Sequence, residues 1–124
     1  MPRDLNKVQL TGRLGADPAI RHTAHGSAIA TFRVASNRAW RSSRGEAHEA
    51  TEWFRVVAWD QLAELCASAL SRDAHVYIEG RLQTRQWADA SGQMRFSAEV
   101  IASEVILLDA ARANVERSPN EAAA

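Results

Sequence analysis

The stretch TEWFRVVAW, residues 51–59, decides the fold of this chain. Its side chains alternate between two sets, which predicts a single strand with two different faces. One set is apolar, as a core requires: Phe54, Val56 and Ala58. The other set places an arginine between two indoles: Trp53, Arg55, Val57 and Trp59. Such a face is typical of a surface on which unpaired bases stack while a cation pairs with phosphate, although buried indoles covered by an edge arginine would give the same pattern.

Composition limits what the chain can be. Its 124 residues suffice for one domain, and a hydrophobic fraction of 46% predicts a real core. The N-terminus is polar and no apolar run could span a membrane, so neither a signal peptide nor a membrane segment is expected. A single cysteine, Cys66, excludes an internal disulfide and favours the cytoplasm.

The charge pattern is more informative than the formal net charge of +0. A neutral sum argues weakly against nucleic acid, because basic domains are its usual partners. However, every basic residue except Lys7 is an arginine, the cation that both pairs with phosphate and stacks on a base. Several of them lie in one stretch without acidic residues: Arg33, Arg38, Arg41 and Arg44. A solvated loop would explain such a run equally well.

Periodicity along the rest of the chain predicts mostly strands. Alternation and turn residues place long strands at 5–14, 28–37, 51–59, 74–87 and 94–108, with a short one at 19–23. A polar loop is expected over 38–50, a helix over 60–71 capped by Asp60, and a bulge or close approach at Gly80.

The order of these elements predicts an all-β fold with one helix. Five strands with a helix between strands 3 and 4 are the arrangement of the OB-fold, a five-stranded Greek-key barrel. The pattern fades after Leu108, which predicts a barrel domain over residues 1–108 and a flexible tail over 109–124.

All four tryptophans fall on the predicted polar face or in its loops, each near an arginine. Core indoles would follow the apolar phase of Val56 and Ile78, so this placement favours a stacking surface. The candidate nucleic-acid-binding residues are Trp40, Trp53, Trp59, Trp87, Arg33, Arg38, Arg41, Arg55 and Arg85.

Catalytic chemistry finds little support. His22 and His25 are close together, but no cysteine or carboxylate set completes a metal site. Phosphate-binding glycine loops are absent, and Cys66 lies on the apolar stripe of the helix. An enzyme is therefore not expected, and catalysis would require a constellation that the sequence does not show.

Three stretches carry a resemblance to a known family: NKVQLTGRLGADPAIR at 6–21, TEWFRVVAWDQLAE at 51–64 and VYIEGRLQTRQWADASGQ at 76–93. In these the chain resembles the bacterial-type single-stranded DNA-binding proteins. The resemblance implies an OB-fold that assembles as a homotetramer, needs no cofactor and holds DNA during replication, recombination and repair. It also implies stacking by the four tryptophans, with Trp59 where phenylalanine is usual, and phosphate contacts around Arg33, Arg55 and Arg85.

Two departures from the family pattern stand out. Phe54 occupies a position near a subunit contact that is often histidine. The last residues, SPNEAAA, lack the acidic tip that recruits replication and repair enzymes in the family, so such partners are not expected. A nucleoid-associated cytoplasmic protein is the expected class, and an OB-fold accessory or RNA-binding module is the alternative.

Overall fold

The computed structural model describes residues 3–109 of the chain. It contains six strands and one helix: β1 (Val8–Leu14), β2 (Ala19–His22), β3 (Ala28–Arg41), β4 (Ala47–Trp59), α1 (Asp60–Ala69), β5 (His75–Ala88) and β6 (Met94–Leu107). Of the predicted tail, only Asp109 belongs to the described residues. Its carboxylate accepts a 2.9 Å hydrogen bond from the backbone N–H of His75.

Five of the strands close into a barrel. Hydrogen-bonded neighbours follow the order β1-β5-β6-β4-β3, and β1 returns to β3 through the pairs Arg13↔Ala35 and Leu14↔Val34. β4 and β6 pair in parallel, whereas the other pairs are antiparallel. The short β2 adds only to β3, and the helix lies between the third and fourth barrel strands. The predicted five-stranded barrel is confirmed.

The barrel interior is formed by the apolar phases that the sequence alternation predicts. Phe32, Val34, Val56 and Ile78 are buried in one cluster with Cys66 of the helix. Burial raises the pKa of the Cys66 thiol to about 11, so it stays protonated at neutral pH. Because the thiolate is the reactive form, this cysteine is a small core residue, as predicted.

The helix forms where its apolar stripe predicts it, but its ends differ. Trp59, in extended conformation, occupies the N-cap position and makes no side-chain capping bond. Asp60 is the first helical residue and has a φ of 58°, a left-handed conformation that aspartate tolerates better than most residues. The predicted Asp60 cap is therefore wrong. The helix ends at Ala69, where the chain turns extended at Leu70 instead of continuing to 71.

Residues 38–50 are not a polar loop, contrary to the prediction. β3 and β4 remain paired from Ile29↔Trp59 to Arg41↔Ala47, and only residues 42–46 form the turn. The strands continue past the barrel as a two-stranded ribbon, so both faces meet solvent and the apolar alternation that marks a strand disappears. We call residues 36–52 the first ribbon. Trp40 consequently lies on a strand.

A second ribbon is built in the same way from β5 and β6. Pairing continues from the barrel to Ala88↔Met94, and residues 82–98 are mostly exposed on both faces. Leu82 has the same phase as the buried Val76 and Ile78, but it is exposed because the barrel ends before it. β4 and β6 run parallel, and each ribbon contains the N-terminal half of one of them. Both ribbons therefore leave the barrel at the same end.

Gly80 marks the irregularity in β5 that was predicted there. The register between β5 and β6 shifts between Glu79 and Gly80. A Cβ atom on Gly80 would collide with the backbone carbonyl of Ile101, and one on Gly12 would collide with that of Ala35. Both glycines thus permit close backbone approach where the barrel bends and closes.

Candidate nucleic-acid interface

The outer face of β3 and β4 holds the residues that the opening strand predicts. Continuous pairing sets Arg33 beside Arg55 and Trp53 beside Ala35, while Trp59 ends the row opposite Ile29. Side chains of these odd-numbered residues point away from the core that their even-numbered neighbours fill. The face therefore presents two indoles and two guanidinium groups on one rigid surface.

Trp53 and Arg33 are in contact on this face. The Arg33 guanidinium carbon lies 5.0 Å from the centre of the Trp53 ring, within the range of a cation–π contact. A Cβ atom on Gly15 would lie 2.8 Å from the ring, so the glycine lets the indole lie against the backbone directly after β1. A cavity of about 300 Å³ opens beside them, lined by Gly15, Ala16, Asp17, Thr31, Phe32, Arg33 and Trp53.

Trp40 lies on the first ribbon, on the face opposite to that of Trp53 and Arg33. It belongs to the even-numbered phase and is paired with His48. The two rings stack, with 5.4 Å between their centres and an angle of 19° between their planes. The Arg38 guanidinium carbon is 4.6 Å from the centre of the same indole. This face of the ribbon thus carries two rings and a guanidinium group, while Trp53 and Arg33 lie beside the ribbon on the other face of the same two strands. Arg41 donates a 2.8 Å hydrogen bond to the carbonyl of Gly45 at the tip.

Trp87 repeats the arrangement on the second ribbon. The Arg85 guanidinium carbon lies 4.6 Å from the centre of its ring. Arg85 and Trp87 lie on the face formed by the odd-numbered side chains of the second ribbon. That face includes Glu99 of β6, which pairs with Arg55, so it continues the outer face of β4. Three of the four tryptophans are therefore held next to an arginine on an extended backbone.

The exposed fraction of each tryptophan side chain distinguishes indoles of the core from indoles of the surface. Their side chains are 37–48% exposed, and none belongs to the core cluster. The interpretation of the indoles as core residues is therefore wrong. Partly exposed rings, each fixed by strand pairing, provide flat surfaces without the entropy cost of ordering a loop.

Arg55 has a partner that the sequence did not predict. Its Nε donates a 3.0 Å hydrogen bond to a carboxylate oxygen of Glu99, which is buried. The two residues are 44 positions apart and come together through the parallel pairing of β4 and β6. The positive charge of Arg55 is thus partly offset. Arg33, by contrast, forms no ion pair with a carboxylate of residues 3–109, and its guanidinium lies against the Trp53 ring.

The tip of the second ribbon is fastened by Asp89. One carboxylate oxygen accepts bonds from the hydroxyl and backbone N–H of Ser91 and from the N–H of Gln93, and the other accepts from Arg95 at 2.8 Å. These bonds, with Ser91 first and Arg95 next, lower the pKa of Asp89 to about 2. The negative charge therefore shapes the turn that follows Trp87.

We expect the turn at Asp89 to loosen only in strong acid. An aspartate titrates near pH 3.9 when unfolded, so its lowered pKa adds stability that is complete above that value. That contribution falls as the pH drops toward 2, where the folded carboxylate takes up its proton. Carbon-detected NMR of the Asp89 carboxyl should follow this titration. A midpoint at or above 3.9 would contradict the hydrogen-bond network, and Asp89→Asn should abolish the signal.

Two further kinds of site, a metal site and a membrane span, would each have a recognisable structure. Within residues 3–109, no three His, Cys, Asp or Glu side chains come together as a group that could hold a metal ion. Over the same range, none of the helical structure is long and apolar enough to cross a membrane.

The closed five-stranded barrel, with its aromatic and basic outer face, defines an OB-fold protein. The family model described as "Single-strand binding protein family" matches residues 5–108, and the chain belongs to this family. A curated relative, single-stranded DNA-binding protein 1 of Chlorobaculum tepidum, is 43% identical over 111 residues, or 89% of this chain and 68% of its own. A solved Plasmodium falciparum complex with single-stranded DNA superimposes with a TM-score of 0.80 at 35% identity, covering 88% of this chain and 99% of that one.

Proposed function

We propose that this protein binds single-stranded DNA without strong sequence preference and protects it during replication, recombination and repair in the bacterial cytoplasm. Bases stack on the tryptophans and phosphates pair with the arginines of the candidate site: Trp40, Trp53, Trp59, Trp87, Arg33, Arg38, Arg41, Arg55 and Arg85. The observation that carries the proposal is the Arg33–Trp53 unit on the exposed face of the barrel. The solved complex of a 35% identical relative with single-stranded DNA supports it.

The physical chemistry of the face favours unpaired strands over duplex. An indole can stack only on a base whose face is free, and bases within a duplex already stack on their neighbours. Each base on an aromatic ring contributes roughly 1–3 kcal/mol, whatever its identity, because every base has a π-face. The proposed binding requires neither a bond-making step nor a cofactor.

A titration with labelled oligonucleotides tests the proposal. Fluorescence anisotropy with dT, dA and mixed-sequence strands of equal length should give tight binding with modest differences between sequences. The matching duplex should bind far more weakly. Weak binding to every strand would contradict the proposal and favour an accessory that acts through a protein partner. Tighter binding to an RNA strand of the same sequence would favour the RNA-binding alternative.

Arg33 and Arg55 should differ in their effect on the salt dependence of binding. For single strands, each neutralised phosphate contributes a slope of about −0.7 to log K against log salt concentration. We expect Arg33→Ala to flatten the slope by about that amount. Arg55→Ala should change it less, because Glu99 already pairs with this guanidinium.

A stability measurement provides the control for this pair. Arg55→Ala should lower the melting temperature, because it leaves the buried Glu99 carboxylate without this partner. Arg33→Ala removes an exposed side chain and should leave the melting temperature nearly unchanged. If the parent and Arg33→Ala have equal slopes of log K against log salt concentration, Arg33 does not contact a phosphate.

Self-association into a homotetramer is part of the proposal. β1 pairs with β5 along Val8–Arg13, but it meets β3 only at Arg13 and Leu14. Among the described residues, the backbone of positions 8–12 thus has no strand partner on its second edge, and such an edge invites pairing with another copy. Light scattering should give the mass of an assembly at micromolar concentration. A monomer mass would contradict this part of the proposal.

A further inference from the structure

Phe96 is the most exposed aromatic side chain in the described part of the chain. Its side chain is 63% exposed, more than any of the four tryptophans. It lies on β6 in the second ribbon, directly opposite Gln86 of β5. Phe96 is not part of the core cluster, so packing does not explain why the ribbon carries a large ring there.

The pairing register assigns Phe96 to the core-side face of the sheet. Val100 is buried in the barrel, and Phe96 precedes it at an even spacing on the same strand, with continuous pairing between the two positions. Trp40 stands in the same relation to the buried Val34 on β3. Both rings thus continue the face that encloses the core, on two ribbons that leave the same end of the barrel.

We propose that Phe96 is a further base-stacking residue, which extends the path of single-stranded DNA onto the core-side face of the second ribbon. The inference rests on the proposed function. Trp87 with Arg85 serves one face of this ribbon, and Phe96 serves the other. On β3 and β4 the rings are likewise divided between two faces, with Trp40 on the core-side face of the first ribbon and Trp53 on the outer face directly beside that ribbon.

The chemistry of this face suits a polyanion with exposed bases. From residue 82 to 88 and from 94 to 98, its side chains are uncharged, so no carboxylate repels phosphate: Leu82, Thr84, Gln86, Ala88, Met94, Phe96 and Ala98. The nearby carboxylates, Asp89 and Glu99, pair with Arg95 and Arg55. Gln86 and Thr84 offer donors and acceptors to base edges, and Met94 extends the apolar surface beside the ring.

Four variants of the full chain, titrated with a dT oligonucleotide long enough to span both ribbons, test the assignment. Phe96→Ala should weaken binding by about five- to a hundredfold, the loss that corresponds to one stacked base. Phe96→Tyr keeps a flat ring and should bind like the parent. Phe96→Leu keeps an apolar side chain without a ring and should bind as weakly as Phe96→Ala. Leu65→Ala is the matched control, because it removes an exposed apolar side chain from the helix at the other end of the barrel.

The outcomes distinguish this inference from the proposed function. If Phe96→Ala binds dT like the parent while Trp53→Ala binds weakly, the assignment of Phe96 is wrong and the proposed function stands. Recovery of binding by Phe96→Leu would also overturn stacking, in favour of a general apolar contact. Loss of self-association by Phe96→Ala in light scattering without DNA, with unchanged affinity, would assign the face to a second copy instead. A parent chain that does not bind dT would overturn both.

Discussion

Replacing Phe32 with alanine should lower the free energy of unfolding by about 3–5 kcal/mol, the range measured when a buried aromatic side chain is removed. Phe32 is buried in the barrel, opposite Val56 on the neighbouring strand, and belongs to the single core cluster. Its removal takes apolar area out of the core and leaves a cavity that β3 and β4 cannot close. Urea denaturation followed by circular dichroism should show the shift in midpoint.

The control for this experiment lies on the helix. Leu65 is a large apolar residue that is exposed, so Leu65→Ala should change the free energy of unfolding by no more than about 0.5 kcal/mol. An equally small change for Phe32→Ala would show that the barrel interior is not packed around β3 as described.

Trp53→Ala should have the opposite profile, with a large effect on binding and a small one on stability. Trp53 lies on the other face of the same pair of strands and is exposed. Loss of one stacked base, worth roughly 1–3 kcal/mol, corresponds to about a five- to a hundredfold weaker affinity for poly-dT. The denaturation midpoint should move little, because no core cavity forms.

Trp53→Phe is the matched variant for that prediction. A phenyl ring can still stack, so most of the affinity should return. If Trp53→Ala unfolds the protein, the indole is a structural element and not a binding surface. If it binds poly-dT as well as the parent, base stacking at this position is wrong.

The alternation in residues 51–59 was sufficient to predict the central strand and its two faces. Val56 is buried and Trp53 is exposed, as their opposite phases require. The order of strands and helix was sufficient to predict the barrel, because few folds place one helix between the third and fourth of five strands. The bulge or close approach at Gly80 could be predicted, because a glycine inside an apolar strand has no side chain to contribute to the core.

The strands of the second ribbon were predicted, at 74–87 and 94–108, but the first ribbon and the extension of both strand pairs beyond the barrel were not. Where β3 and β4 pass the end of the barrel, both faces meet water, so polar residues occupy both phases and the stretch 38–50 looks like a loop. Leu82 is exposed because the barrel ends before it. It has the inward phase of Ile78 but lies beyond the last layer of the core. Phe96 was missed for this reason, since its phase alone predicts an inward residue.

Contacts between residues far apart in the sequence could not be predicted either. Arg55 and Glu99 meet because β4 and β6 pair in parallel, which depends on barrel closure and not on any local pattern. The stacking of His48 on Trp40 depends on the register of the first ribbon. At Asp60, residue type favoured a cap, but the chain reaches the helix directly from β4, which leaves Trp59 in the cap position.

Intrinsic tryptophan fluorescence measured during titration with poly-dT tests the central claim most directly. The four indoles are the only tryptophans in the chain, and all are proposed to contact DNA. Stacking on bases should quench most of the emission at saturation, and a duplex of the same length should leave it nearly unchanged. Unchanged emission in the presence of saturating poly-dT, or equal quenching by duplex, would contradict the assignment of these rings to a surface for single-stranded DNA.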